Sequence, residues 1–367
     1  MLCPTTLPSA NAPAVSSVPT SRVKIENPLE STNWDERVSR LPGCNIFHSA
    51  AWCKVLHGSY GFTPLYFTST HDGQLDGVLP VMEVNSWLTG TRGVSLPFTD
   101  HCQPIGFSTS LVRPLLKAVL KHGSARRWRY LECRSEAAWA GSLSNCRSSL
   151  SFRGHKLELT WDTDSIFARF DSSVRRAIRK AEKAGLVVEV SRDLAAVRSY
   201  YELHCKTRKK HGLPPQPFKF FLNIHRFILS QQMGMVVSAK LNGKAIASAV
   251  CLHFGTDAVY KFGASDDAFQ DLRPNNLVLW EAIKWFARAG AKVLDFGRTS
   301  LYSEGLRRYK LGWGTDEQKI NYYKFDLWRD AFVTDRDAVC GWHNRVFRAL
   351  PGWLAKLSGA AVYRHLA

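Results

Sequence analysis

Two tight turns sit at matching places in this chain, and they constrain its fold more than any other feature. Asp72-Gly73 joins two apolar runs in PLYFTSTHDGQLDGVLPVMEV (64–84), and Asn242-Gly243 joins two more in GMVVSAKLNGKAIASAVCLHF (234–254). An Asx-Gly pair between apolar runs is a strong hairpin signal, because both turn positions need positive φ. The match continues downstream. Arg113-Pro114 opens LLKAVLKHG, which leads into RYLECR, and Arg273-Pro274 opens NNLVLWEAIKWFARAG, which leads into KVLDFGR. Each reads as a helix with Pro in its first turn and Gly near its end. Each then runs into a short strand with an acid after Leu, Glu132 in one and Asp295 in the other. Hairpin, helix and strand in the same order twice imply two related α/β units. Generic elements can share an order by chance, but the matching turn, Pro and Leu-acid positions weigh against that.

The first unit is placed at 23–160 and the second at 161–330. Residues 1–22 are dominated by Pro, Ser, Ala and Thr and read as a flexible tail, with no secretion-signal pattern. A helix over SSVRRAIRKAEKAG (172–185) opens the second unit, capped by Ser172 or Asp171 and ended by Gly185. Residues 331–367 read as a basic amphipathic helical segment with Trp342, Phe347, Trp353 and Leu357 among Arg and Lys. Packing on its own domain is the favoured reading, and contact with an acidic membrane surface is the other.

The net charge of +18 points to an anionic partner: nucleic acid, a phosphorylated metabolite or a membrane surface. No run approaches the ~18 apolar residues of a membrane span. The expected location is the cytoplasm, with the inner membrane face as a peripheral site. The nine cysteines are dispersed with no C-x-x-C, which argues against a zinc ribbon or thioredoxin-type site and fits reduced thiols. No His pair has metal-ligand spacing, so no metal is expected. Cys102 lacks any motif that would make it a nucleophile.

The letters DFG at 295–297 resemble a kinase motif, but the chain has no H-R-D and no G-x-G-x-x-G, and only 70 residues follow. The local grammar reads differently. A helix over 274–289 stops at Gly290, and a short strand ends at Asp295. Gly297 permits an unusual turn. A helix then starts near Ser303-Glu304, with Leu306, Tyr309 and Trp313 spaced to bury one face. Ligands of open α/β sheets sit beyond the carboxyl ends of strands, so Asp295, Arg298 and Lys310 fall where a site belongs. Asp295 as a helix cap paired to Arg298 is the structural alternative.

These residues, taken with others, carry a family resemblance. FHSAAWCKVLHGSYGFTPLYF with GVLPVMEV (47–84), SLPFTDHCQP (95–104), RRAIRKAEKAGLVVE (175–189), YKFGA (260–264), Arg273-Pro274 with its helix, and LDFGR…YKLGWG occur in order over roughly 30–330. In this the chain resembles the FemAB-like branch of the GNAT acyltransferases, whose members include cell-wall bridge aminoacyltransferases and relatives from exopolysaccharide clusters. The resemblance implies a mixed α/β (α+β) fold of two tandem GNAT-type domains, each a twisted mixed sheet flanked by helices. It implies N-acyl transfer to an amine of a cell-envelope or polysaccharide precursor, either a small molecule or lipid-linked. The donor stays open between acyl-CoA and aminoacyl-tRNA, with no tightly bound cofactor. Here tRNA enters as a partner only through the donor, and DNA is not expected. No full match to the Q/R-x-x-G-x-G/A pyrophosphate loop exists, and DLRPNN (271–276) stands in its place.

Acyl transfer needs a positioned amine, a proton acceptor and donors for the developing oxyanion. Asp295 is the expected carboxylate; Tyr260 is the candidate leaving-group donor, with a packed strand tyrosine as the favoured structural reading. Arg298, Lys310, Arg273, Asn275, Asn276 and Trp313 are expected to bind substrate. Arg175 and Arg179, on one face of the 172–185 helix, are candidates to meet phosphate or tRNA backbone, with a solvated basic face as the plainer reading. KTRKKHG (206–212) and LPPQP (213–217) are expected to border the acceptor cleft. The first unit keeps Glu132 but lacks the Gly-Arg turn and the Tyr-Lys helix, which places the active cleft in the second unit. A catalytically silent scaffold and an RNA-binding protein without chemistry are the competing readings.

Overall fold

A computed structural model of the protein describes residues 22–135, 146–335 and 347–365, so the expected N-terminal tail lies outside the described residues apart from Arg22. The chain begins with β1 (Arg22–Glu26), α1 (Trp34–Ser39) and α2 (Ala50–Tyr60), then forms the expected hairpin of β2 (Thr63–His71) and β3 (Gln74–Val84). β4 (Arg92–Val94), β5 (Ile105–Gly106), α3 (Val112–Ala125), β6 (Tyr130–Ser135) and β7 (Leu150–Glu158) follow. Next come α4 (Thr163–Ala168), α5 (Ser172–Lys183), β8 (Val187–Ser191), α6 (Leu194–Lys210) and α7 (Phe218–Phe227). The second hairpin is β9 (Gly234–Leu241) and β10 (Lys244–Phe254), followed by β11 (Asp257–Ser265), α8 (Pro274–Arg288) and β12 (Val293–Ser300). α9 (Glu304–Leu311), β13 (Asp316–Asp326), β14 (Ala331–Val333) and α10 (Gly352–Val362) complete the described chain.

Both turns have the backbone their sequence demands: φ is 50 and 76 at Asp72-Gly73, and 49 and 78 at Asn242-Gly243. The described strands form one mixed sheet in the order β1-β2-β3-β4-β6-β13-β7-β12-β11-β10-β9-β8, with β5 on β3 and β14 on β13. The two parallel pairings, β4 with β6 and β11 with β12, occupy equivalent places in the two halves. At the centre the halves exchange strands. β7, from before residue 160, pairs with β12 and β13, and β13, from the far end of the chain, pairs with β6 and β7.

α3 covers the first half of the sheet through Leu115, Leu116 and Val119 against Phe67, Leu79 and Val81. α5 and α8 cover one face of the second half, with Ile178, Leu277 and Ile283 against Val237, Ala249 and Leu294. A third apolar cluster spans both halves, joining Trp52, Tyr60 and Phe62 to Phe220, Phe221 and Val250.

Two expectations about element ends change. β12 runs on to Ser300 through a bulge between Asp295 and Arg298, so Asp295 lies within the strand and not at its end. The C-terminal segment is not one helix: 331–333 adds a strand to β13, 336–346 lies outside the described residues, and α10 covers Gly352–Val362.

Candidate active site

β11 and β12 are in register over only three pairs, ending at Val259 opposite Asp295, and then separate. The opening leads into a cleft of about 1250 Å3. Its walls are the start of α5 (Arg176, Lys180), Tyr260 and Gly263 of β11, Arg273, Asn275 and Asn276 before and on α8, and Leu306, Arg308 and Tyr309 of α9. Four Arg or Lys against one acid, Asp171, make this an anion-attracting surface. Arg273 holds φ 60 at the residue before α8, a left-handed backbone that an Arg adopts only when its surroundings impose it.

A second pocket of about 460 Å3 lies on the other side of β11. It draws Phe98, Asp100 and Arg134 from the first half, Lys261 and Arg298 from the second, and Tyr363 from beyond α10. Thr207, His211 and Gly263 line both spaces, so the two meet at the end of α6 and the splayed part of β11. Arg208 and Gln216 also face the smaller pocket, which puts the KTRKKHG cluster and the Pro-rich loop at its border.

Asp100 is the carboxylate that faces this pocket. Its Oδ2 accepts from Lys261 Nζ at 3.1 Å, and its backbone carbonyl accepts from the Tyr322 hydroxyl at 2.7 Å. Burial raises its pKa, but the charges of Lys261 and Arg298 outweigh burial and hold it down to about 2. Arg298 donates to the Tyr322 hydroxyl at 2.7 Å and stacks on Phe152 at 4.2 Å. His211 is pushed below the usual imidazole range by burial and by Lys210 and Arg208, so it is neutral at pH 7.

The expected residues fall into two groups. Tyr260, Arg273, Asn275 and Asn276 line the large cleft and Arg298 lines the small pocket. Burial keeps the Tyr260 hydroxyl well above its usual range, and therefore protonated. Asp295 and Lys310 do not line either space. Asp295 is buried, raised by that burial, and accepts from Gly297 N at 2.6 Å, with His101 Nε2 3.7 Å away. Lys310 is buried and donates to the carbonyls of Gly297 and Arg298 at 2.8 and 3.1 Å. Together they clamp the β12 bulge from behind.

The predicted apolar face of α9 needs correction. Trp313 is fully buried against Phe170 at 5.0 Å, whereas Leu306 and Tyr309 are exposed to the cleft. Trp313 therefore supports the wall and does not form its surface. The face of α5 also differs. Arg175 turns to the Ala168 carbonyl and Arg179 to the Phe167 ring, while the neighbouring flank, Arg176 and Lys180, lines the cleft. Asp100 and His211 carried no assigned role in the sequence. The signal for Asp100 was its place in SLPFTDHCQP, and only the fold shows that this segment reaches the second half.

Among the described residues of the first half, Arg134 crosses the corresponding gap. β4 and β6 pair in parallel at Gly93 and Val94, but Arg134 then bonds Glu132 at 2.7 Å and the Thr99 carbonyl at 2.9 Å, plugging the gap. The 95–102 segment so held carries Asp100 across to the other half.

The acetyltransferase (GNAT) domain family matches residues 168–311. A lipid II:glycine glycyltransferase of Staphylococcus haemolyticus is 26% identical over 146 residues, 38% of this chain and 34% of that protein, so the match spans about a third of that relative's length. The crystal structure of FemX superposes with a TM-score of 0.65 at 16% identity, over 82% of this chain and 96% of that one. Residues 168–311 thus match the acetyltransferase (GNAT) domain, and the chain shares the fold of FemX. A tandem GNAT protein from the clavulanic acid pathway shares the fold at a TM-score of 0.51 and 11% identity, covering 86% of this chain and 99% of its own. The acetyltransferase match begins at the end of α4 and stops at the end of α9, and so contains the whole large cleft except Gly312.

Proposed function

We propose that the protein transfers an acyl or aminoacyl group from a phosphate-bearing donor to the amine of a cell-envelope or polysaccharide precursor. The observation that carries this reading is the meeting of two spaces at Gly263, Thr207 and His211. The large basic cleft suits the phosphates of an acyl-CoA or an aminoacyl-tRNA end, held by Arg176, Lys180, Arg273 and Arg308. The smaller pocket suits an amine that also bears an anionic group, with Asp100 beside Lys261, Arg298 and Arg134. A relative named for glycyl transfer to lipid II supports an aminoacyl donor and a lipid-linked acceptor.

The chemistry follows from the charge states. A carboxylate held near 2 is a poor base but a durable anchor for an ammonium group, so Asp100 orients the amine and does not deprotonate it. Neutral His211, on the boundary of both spaces, takes the amine proton. The amine nitrogen bonds to the acyl carbon and the bond from that carbon to the donor oxygen or sulfur breaks. The protonated Tyr260 hydroxyl, on the cleft wall, supplies a proton to the leaving group. An open cleft argues against a silent scaffold.

A melting-temperature screen with acetyl-CoA, longer acyl-CoAs and aminoacyl-tRNA tests the reading. Binding of the true donor raises the melting temperature by mass action. A rise with one class names the donor, and no rise with any of them refutes the proposal.

A further inference from the structure

α10 has two apolar stripes. Ala355, Gly359 and Tyr363 point inward, where a Cβ on Gly359 would strike the Pro215 carbonyl and the Tyr363 hydroxyl donates to the Pro214 carbonyl at 3.1 Å. On the outward stripe Trp353 is 64% exposed and Leu357 61%, one helical turn apart. They border a groove of about 500 Å3, closed on the other side by Tyr201, Pro217 and Phe218, with Lys356 as the one charged residue of its lining.

A second exposed apolar pair lies beside the end of the helix. His365 bonds Ser86 at 2.8 Å and packs on Trp87 at 5.7 Å, while Arg92 donates to the His365 carbonyl at 2.8 Å. The loop pinned there exposes Trp87 by 85% and Leu88 by 62%. Exposed Arg348 and Arg364 flank the helix, and the chain as a whole carries a net charge of +18. Paired Trp and Leu beside Lys and Arg have the makeup of an interfacial membrane anchor: rings and aliphatic tips enter the acyl boundary while cations meet anionic headgroups. Tyr363, at the end of the same element, lines the smaller pocket.

We propose that the face formed by Trp353 and Leu357 of α10, with Trp87 and Leu88 beside its end, docks on an anionic lipid bilayer. This deepens the acyl-transfer reading, on which its use rests, because Tyr363 at the end of the docked helix lines the amine pocket. Vesicle binding itself is independent of any donor or acceptor, so the two ideas fail separately.

The test is flotation of the full chain with phosphatidylglycerol vesicles and with phosphatidylcholine vesicles. The parent binds the anionic vesicles and is released by high salt. Trp353→Ser/Leu357→Ser lowers that binding by about tenfold or more. Trp328→Ser, which removes a ring 73% exposed on the β13–β14 turn, leaves it unchanged. Melting temperatures check that every variant is folded, as expected for exposed positions. The proposal is overturned if the parent ignores anionic vesicles, if the double variant binds like the parent, or if Trp328→Ser loses as much. It is equally overturned if the parent is a dimer that binds no vesicles and the double variant makes it a monomer, since a second copy then covers the face.

Discussion

Gly297 holds φ 71, and a Cβ added there would lie 2.8 Å from Asp100 Oδ2. Two demands meet at one residue: a left-handed backbone and close approach to the half-buried Asp100 carboxylate. Gly290 has φ 82 with open space around it, so it shares the first demand alone. Gly290→Ala is expected to cost about 1–2 kcal/mol from the backbone. Gly297→Ala is expected to cost at least about 1 kcal/mol more, because Asp100 must move against Lys261 and Arg298. Urea denaturation of the two variants measures the difference, and equal costs would mean that Asp100 yields freely. The need for glycine at 297 was legible in the sequence. Its partner was not, because Asp100 comes from the other half of the chain and no local pattern joins them.

Between elements, Lys310 is the link that ties α9 to the β12 bulge. Burial lowers its pKa from the ordinary 10.5 to about 8, and Asp100 and Asp295 only partly offset that. The unfolded chain keeps this proton up to the ordinary value. Between about pH 8 and 10.5 the unfolded state therefore binds more protons, and stability rises with pH. The stability of the parent relative to Lys310→Met is expected to grow by as much as about 3 kcal/mol from pH 7.5 to 10.5. A gap that stays constant or narrows would show that the ammonium is not desolvated. Helix boundaries at this scale were readable from Pro274, Gly185 and Gly290. Helix faces were less so: α5 buries Val174, Ile178 and Ala181, which leaves two basic flanks. Which flank meets the cleft depends on where α8 and α9 lie, a fact of tertiary packing.

Across the whole molecule, the exchange of β7 and β13 makes each half depend on the other for its sheet. Chains cut at residue 160 are expected not to fold alone and to recover when expressed together, and the intact chain is expected to unfold in one transition. Two independent transitions by calorimetry would contradict this. The duplication was visible in matching turns and prolines, but strand exchange leaves no local trace, since it is pairing across more than a hundred residues. The same exchange lets the first half, its own gap crossed by Arg134, deliver Asp100 to the smaller pocket that adjoins the large cleft of the second. The central claim is that this cleft holds the donor. Its most direct test is a binding isotherm for whichever donor class raises the melting temperature. The parent is compared with Arg176→Glu/Lys180→Glu and with Arg175→Glu/Arg179→Glu. Both double variants change the net charge equally, so long-range attraction is matched and only contact differs. Arg176→Glu/Lys180→Glu is expected to weaken binding by about tenfold or more, roughly 1.4 kcal/mol, and Arg175→Glu/Arg179→Glu to change it by no more than about twofold. Equal losses from the two pairs, or none from either, would contradict the account.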